Sequence, residues 1–477
     1  MIIVIQKIFC YTAGKAYWKS GVKMIKIPSG LIHLSNIFKK NGHTCYLVGG
    51  AVRDFLLGRK VNDFDLATDA LPKKIIRMFN RVIPTGIKHG TVTVLFENRE
   101  FEITTFRVDG KYSNGRHPDS VEFTPSIIED LRRRDFTINA IAFDIQKRKI
   151  LDPFSGREDL KKGIIRAIGN PEDRFTEDAL RTLRACRFMS QLGFEIEEST
   201  EKAIKKLSGL VENISAERIR DEFIKLIMSP APSRGIKFLK KNNLLKFILP
   251  ELEICAGVEQ PEMHSFDVFE HCLYSCDAAE RDLLIRLAAL FHDIGKPSVF
   301  QRDPNDRIRF YGHEKESSKI TKRILTRLKF PNKTVKAVSH LILHHMFGYD
   351  SSWTDSAVRR FVKRVGLENI NNLFALRRAD SSGMNRTEEK GPDSMRGLLE
   401  FSDRIEKVLA RSSALSVNDL AIDGNDLMKA LSIPPGEKIG IILKYLMECV
   451  MDSPEQNEKS RLLKIAVNFY NERMNLE

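Results

Sequence analysis

Six short stretches of this sequence hold residue types that handle phosphates or metal ions. In Asp63-Phe64-Asp65-Leu66 the carboxylates alternate with apolar residues. A strand's period of two then sends Asp63 and Asp65 to one face and Phe64 to the other. Two like charges so close need compensation, and a divalent cation such as Mg²⁺, bound through few carboxylates and substrate phosphates, supplies it. In Glu100-Phe101-Glu102-Ile103 the same alternation turns Glu102 away from Phe101 and Ile103, where it can serve as a third carboxylate. Such a set suits two ions that activate a hydroxyl and neutralise a leaving phosphate.

Gly49-Gly50 lies where a strand pattern gives way to a helix, in Leu47-Val48-Gly49-Gly50-Ala51-Val52-Arg53-Asp54. Missing Cβ atoms there let phosphate oxygens approach backbone N–H groups. In Arg132-Arg133-Arg134-Asp135-Phe136-Thr137-Ile138-Asn139, guanidinium forks match a triphosphate, Asp135 can orient one fork and Asn139 can hold a ribose. Asp178 and Arg181, near a helix start, are three apart and so share a face. A carboxylate and a guanidinium together can read a nucleobase edge. Taken singly, each signal also fits a plain structural role: an edge strand wetting its acids, a turn, a solvated basic face, a surface helix pair.

The sixth stretch is C-terminal. His264, His271, His292-Asp293, His313, His340, His344-His345 and Asp380 fall within one helical region that holds seven of the chain's eleven histidines. His292-Asp293 follows the apolar run 287–291, at the end of a buried helix. A lone His there fits a core or capping role, whereas a set with interspersed Asp favours a metal site.

The elements that must position these residues follow from periodicity. Helices are predicted over 31–40 and 51–57, and strands over 44–48, 64–67, 91–96, 101–105 and 138–143. These make a mixed α/β domain, interrupted by a mobile loop between Val108 and Ser120. From Arg174 the strand patterns stop and helical spacing takes over. The fold class expected is α+β, with a head over 25–165, a helical neck over 166–250, a helical His/Asp region over 251–395 and a helical tail over 396–477. The 477 residues suffice for two to four cored domains. Their net charge of +14 favours a polyanionic partner. Seven cysteines without a CxxC pair argue against a thiolate zinc site and fit reduced thiols in a cytoplasmic protein. No apolar run approaches the roughly 18 residues of a membrane span.

The ordered set 47–54, Asp63-Phe64-Asp65-Leu66-Ala67-Thr68, Arg133-Arg134-Asp135-Phe136-Thr137-Ile138-Asn139-Ala140 and Glu177-Asp178-Ala179-Leu180-Arg181 resembles the bacterial tRNA nucleotidyltransferase and poly(A) polymerase family, class II. The resemblance implies a polymerase-like head with two Mg²⁺ ions on Asp63 and Asp65, and Glu102 as the third acid. It implies nucleotide contacts from Gly49, Gly50, Arg53, Arg134, Asp135 and Asn139. By the same likeness Asp178 and Arg181, supported by Glu177, pair with the base edges of CTP and ATP. The stretch 107–118, with Asp109 and Arg116, looks like the family's flexible loop, and Arg218 matches a residue that braces the neck helices.

The reaction implied is attack of a tRNA 3′-hydroxyl on the α-phosphate of CTP or ATP. Full CCA addition is favoured over A-adding, CC-adding or poly(A) synthesis, with an RNA-binding protein whose head is silent as a further alternative. The C-terminal array resembles the HD phosphohydrolase superfamily. That likeness implies His271, His292, Asp293 and Asp380 as ligands of a divalent metal such as Ni, Mn or Mg. It makes His313 and His344 candidates for a second metal or a phosphate contact, and suggests hydrolysis of 2′,3′-cyclic phosphates or phosphomonoesters. A degenerate HD scaffold stands as the other possibility.

Overall fold

Alternating apolar residues in the first half assemble a seven-stranded sheet from β1 (Cys45–Val48), β2 (Asp65–Thr68), β3 (Val82–Gly86), β4 (Thr91–Phe96), β5 (Arg99–Thr105), β8 (Ala142–Asp144) and β9 (Lys149–Leu151). β6 (Arg107–Asp109) and β7 (Val121–Phe123) form a separate antiparallel pair. The computed structural model describes residues 27–61, 63–110, 121–261, 265–384, 391–411 and 416–473. The sheet runs β3-β4-β5-β2-β1-β8-β9. Only the β2–β5 pair within it is parallel. That pair sets Asp65 level with Glu102.

The ladder is held by the period-two faces. Val92 and Val94 of β4 and Ile103 of β5 are fully buried, while Glu102 between its neighbours stays exposed. α1 (Ser29–Lys40) closes over the sheet with Leu31, Leu34 and Phe38 buried at helical spacing. α2 (Gly50–Leu56) leaves β1 directly, and α3 (Pro72–Met78) follows β2. α4 (Ile127–Arg132) starts on a Ser126 N-cap. α5 (Gly156–Lys162) ends the head.

Three expectations need correction. The strand expected over 138–143 is a 3₁₀ turn at Thr137–Asn139 followed by β8. The Asp135 carboxylate accepts from Phe136 N and Asn139 Nδ2, and this local bonding outcompetes a ladder. The expected loop from Val108 begins later, because Val108 and Asp109 pair with Glu122 and Val121. Residues 111–120, Arg116 among them, lie outside the described residues. Strand structure also continues past Arg174: Glu195–Ile196 pairs with Ile164–Ile165, and Gln301–Arg302 with Ile308–Arg309.

The chain divides into two compact units, Met1–Ile248 and Leu249–Glu477. The first unit adds helices to the head: α6 (Pro171–Glu177), α7 (Leu180–Leu192), α8 (Glu198–Lys206), α9 (Ala216–Ile227) and α10 (Pro232–Lys241). In the second unit the helix Val268–Ala278 starts on Asp267, and the helix Leu283–Phe291 starts on Asp282 and is buried from Ile285 to its end. The helices His313–Arg327, Asn332–His344, Asp355–Val365 and Ile370–Gly383 follow. Gly383 lies against Val268–Ala278 so closely that a Cβ would sit 2.2 Å from Ser275 Oγ. The helix Gly391–Arg411 runs across position 395. Helices at Gly424–Leu431, Glu437–Asp452 and Lys459–Arg473 share a core of Leu427, Ile442, Leu446, Met447, Val450 and Leu462. Among the described residues, no helix is long and apolar enough to cross a membrane.

Candidate nucleotide pocket and metal cluster

The head pocket is built on a backbone turn. Gly49 has φ 67°, a left-handed value that favours glycine. A Cβ there would lie 2.9 Å from Arg134 Nη1 and 3.9 Å from Asp65 Oδ2, so the bare backbone faces a guanidinium and a carboxylate together. At Gly50 the nearest such atom is Arg53 Nη2, at 3.5 Å.

Asp63 precedes β2 rather than lying in it, but it is near enough to act on Asp65. Although Asp65 is exposed as a residue, loss of water around its carboxylate raises its pKa; Arg134 opposes this and Asp63 adds to it. Glu102 is raised by the same partial burial and then by Asp65. Mutually repelling carboxylates with only oxygen donors fit a hard divalent cation.

Behind the turn runs a relay of side chains. Arg53 is bidentate to Asp54, and its Nη1 donates to Asn139 Oδ1 at 2.7 Å. Asn139 Nδ2 donates to Asp135 Oδ1 at 3.0 Å, and Arg184 of α7 donates to Asp135 Oδ2 through Nε at 2.7 Å. Burial alone would raise Asp135, but Arg184, Asn139 and the Phe136 amide hold it at about 2. Arg187, in turn, pairs with buried Glu222 of α9 at 2.6 Å. The sequence reading missed Arg184, Arg187 and Glu222. The signal for the arginines was there, since Arg181, Arg184 and Arg187 recur every third residue through a largely buried helix.

Asp178 and Arg181 do not share a helix face. Asp178 is extended, at φ −148° and ψ 102°, in the joint between α6 and α7. Its Oδ1 accepts from Leu180 N at 3.1 Å, and its Oδ2 accepts from Arg218 Nη2 at 2.7 Å. Arg181 is anchored to Glu177 Oε2 at 2.6 Å, to the Arg174 carbonyl at 2.9 Å and to the Arg133 carbonyl at 3.0 Å. The short joint frees Asp178 from the helical ladder and lets Arg218 of α9 fix its carboxylate.

The second unit holds a tighter arrangement. His271 Nε2 and His292 Nε2 are 3.0 Å apart. Each lies 3.1–3.4 Å from oxygens of both Asp293 and Asp380. On the other side of Asp293, its Oδ1 is 3.2 Å from His313 Nε2 and 3.7 Å from His345 Nε2. His345 takes the place expected for His344, which instead lies edge-on to His340 and has its pKa lowered to about 4 by burial and that neighbour. All four rings point Nδ1 at a backbone carbonyl: Gly383, Ala289, Phe310 and Ile342. With Nδ1 engaged behind the ring, every Nε2 is turned toward Asp293.

Burial would lower His271 and His292, but Asp293 and Asp380 raise both, His292 to about 10. Lys296 Nζ also reaches Asp293 Oδ2 at 2.6 Å. Two groups result, His271–His292–Asp293 and Asp293–His313–His345, each with its ligand atoms within 4.8 Å of one another. This donor set, with its orienting carbonyls and Asp293 common to both groups, fits a divalent metal ion. Among the described residues Asp63, Asp65 and Glu102 form no such three-residue group. A cavity of about 520 Å³ opens beside His313, lined also by Tyr311, Lys315, His344, Phe347 and Arg364.

The family models for "Poly A polymerase head domain", "Probable RNA and SrmB- binding site of polymerase A" and "HD domain" match residues 45–166, 193–255 and 262–384. A CCA-adding enzyme from Anoxybacillus flavithermus is 49% identical over 214 residues, 45% of this chain; that match spans about half of the relative's length, 53%. One from Lactobacillus johnsonii is 34% identical over 427 residues, 88% of this chain and 92% of the relative. The crystal structure of the Bacillus stearothermophilus CCA-adding enzyme in complex with CTP superposes with a TM-score of 0.72 at 28% identity, over 94% of this chain and 99% of that one. Identity of 34% over 92% of the L. johnsonii relative shows that the chain belongs to the CCA-adding enzyme family.

Proposed function

We propose that this chain completes tRNA 3′ ends by adding CCA from CTP and ATP without a nucleic-acid template. The observation that carries the reading is the convergence at Gly49: bare backbone, the Arg134 guanidinium and the Asp65 carboxylate face one point, with Glu102 level across the β2–β5 ladder. The CTP complex of the similar B. stearothermophilus enzyme supports it.

Arg134 receives the triphosphate, and the Arg53–Asn139–Asp135–Arg184 relay holds the walls of the pocket. Asp178, steadied by Arg218, accepts from a base amino group, while Arg181, steadied by Glu177, donates to ring nitrogen or carbonyl oxygen. The RNA 3′-oxygen forms a bond to the α-phosphorus, the α–β bridging P–O bond breaks, and pyrophosphate leaves. Glu102, whose pKa is raised, is the carboxylate available to take the hydroxyl proton. Mg²⁺ held by Asp63 and Asp65 would lower the pKa of the hydroxyl and neutralise developing phosphate charge. The +14 excess suits duplex RNA read by shape and phosphate in the cytoplasm, where tRNA is matured.

The test is incorporation into tRNA lacking its 3′ CCA, with CTP alone, ATP alone and both. Two C followed by one A is expected. A alone would mark an A-adding enzyme, C alone a CC-adding one, long homopolymer a poly(A) polymerase, and no incorporation with Mg²⁺ a silent head. Asp65→Ala should cut addition by at least about 1,000-fold while tRNA affinity stays within about twofold. A matching loss of binding would contradict the role given to Asp65.

The imidazole–carboxylate cluster carries a second activity, hydrolysis of phosphoesters such as 2′,3′-cyclic phosphates. Its divalent metal would polarise the ester and supply the hydroxide, and Lys315 and Arg364 line the adjoining cavity with positive charge.

A further inference from the structure

A buried carboxylate that the reaction does not consume lies behind Arg134. Asp130, in the first turn of α4, has a side chain only 1% exposed. Its Oδ1 accepts from Arg133 Nε at 3.0 Å and Nη2 at 2.8 Å, and its Oδ2 accepts from Arg134 Nη2 at 3.3 Å. The Arg107 amide of β6 also points at Oδ1, at 3.4 Å. Burial would make this acid weak, but the two guanidiniums hold its pKa below the ordinary carboxylate range.

The consequence falls on Arg134. With Nη2 tied to Asp130, its Nη1 is carried to Gly49 and Asp65, and its Nε is buried with no hydrogen-bond partner among the described residues. A buried guanidinium N–H without an acceptor is costly, and here it belongs to a side chain whose other end faces the pocket. We infer that Asp130 is a positioning residue that pre-sets Arg134 for the nucleotide triphosphate, which supplies the acceptors the guanidinium lacks. The inference rests on the proposed nucleotidyl transfer and adds to it the device that holds the phosphate-binding group in place.

Because CTP and ATP share their triphosphate, loss of this device must affect both equally. In the full-length chain Asp130→Asn should raise KM for CTP and for ATP by one common factor, about tenfold, with kcat within about twofold of the unaltered chain. Asp130→Glu, which keeps the charge, should recover most of that loss. Combining Asp130→Asn with Arg134→Lys should cost no more than Arg134→Lys alone. Unequal effects on the two nucleotides, a fall in kcat at unchanged KM, or additive losses would overturn the assignment. If Asp130→Asn fails to fold, Asp130→Glu decides by its KM values: a common factor for CTP and ATP supports the assignment and unequal factors overturn it. An unaltered chain that incorporates neither nucleotide would refute the transfer reaction itself, a result separable from normal kinetics in Asp130→Asn.

Discussion

Asp135 shows how far a single residue type could be read and where reading stopped. Its motif pointed to the nucleotide pocket and to an arginine fork, but the fork is Arg184, 49 positions on, rather than a neighbour in its own basic run. Local spacing cannot announce a partner supplied by another helix, which is also why Glu222 escaped notice, whereas Asp130 has its partners only three and four positions on. Asp135 further sets a pH dependence. Its folded pKa of about 2 lies below the roughly 4 of an unfolded Asp, so its stabilisation is present above about pH 4 and is lost as pH falls through about 2. The depression corresponds to on the order of 2 kcal/mol. Asp135→Asn should therefore lower the urea midpoint of the N-terminal unit at neutral pH and flatten its decline between pH 4 and 2. An unchanged acid limb would show that another group carries it.

Among elements, those with a strict two- or 3.6-residue pattern and one buried face were legible: α1, β1, β4 and β5 lie within two residues of their expected bounds. β3 was not, since it holds Pro84 and an Ile83 that is 44% exposed, so no alternation marks it. The Asp178 joint was hidden because a break between two helices leaves the helical spacing of charges intact on paper. The same limit explains His344 and His345: adjacent positions differ by about 100° around a helix, and only the packed face decides which ring turns inward. Close helix contact governs the metal cluster as well. Gly383→Ala would drive a methyl against Ser275 and shift the carbonyl that holds His271 Nδ1. It should cost about 1–3 kcal/mol in the C-terminal unit by overpacking and weaken Mn²⁺ binding there, with CCA addition unchanged. Calorimetry with Mn²⁺ titration checks it, and undiminished binding would contradict the contact.

On the scale of the whole molecule, two units with separate cores hold unlike donor sets, oxygen alone near Gly49 and nitrogen with oxygen around Asp293. His292→Ala should abolish cyclic phosphate hydrolysis and leave CCA addition within about twofold of normal, assayed side by side. An equal loss of addition would mean that the units fold or work as one. The rings of the cluster carry one more consequence. Each is pinned by a carbonyl behind it, so none can swing away to make room for a large, strongly hydrated guest. Nitrogen donors in a fixed frame suit first-row transition ions, whereas the acids near Gly49 offer oxygen alone. On the proposed reading, a chelator that strips manganese or nickel but ignores magnesium should silence the chemistry of one unit while the other keeps repairing tRNA.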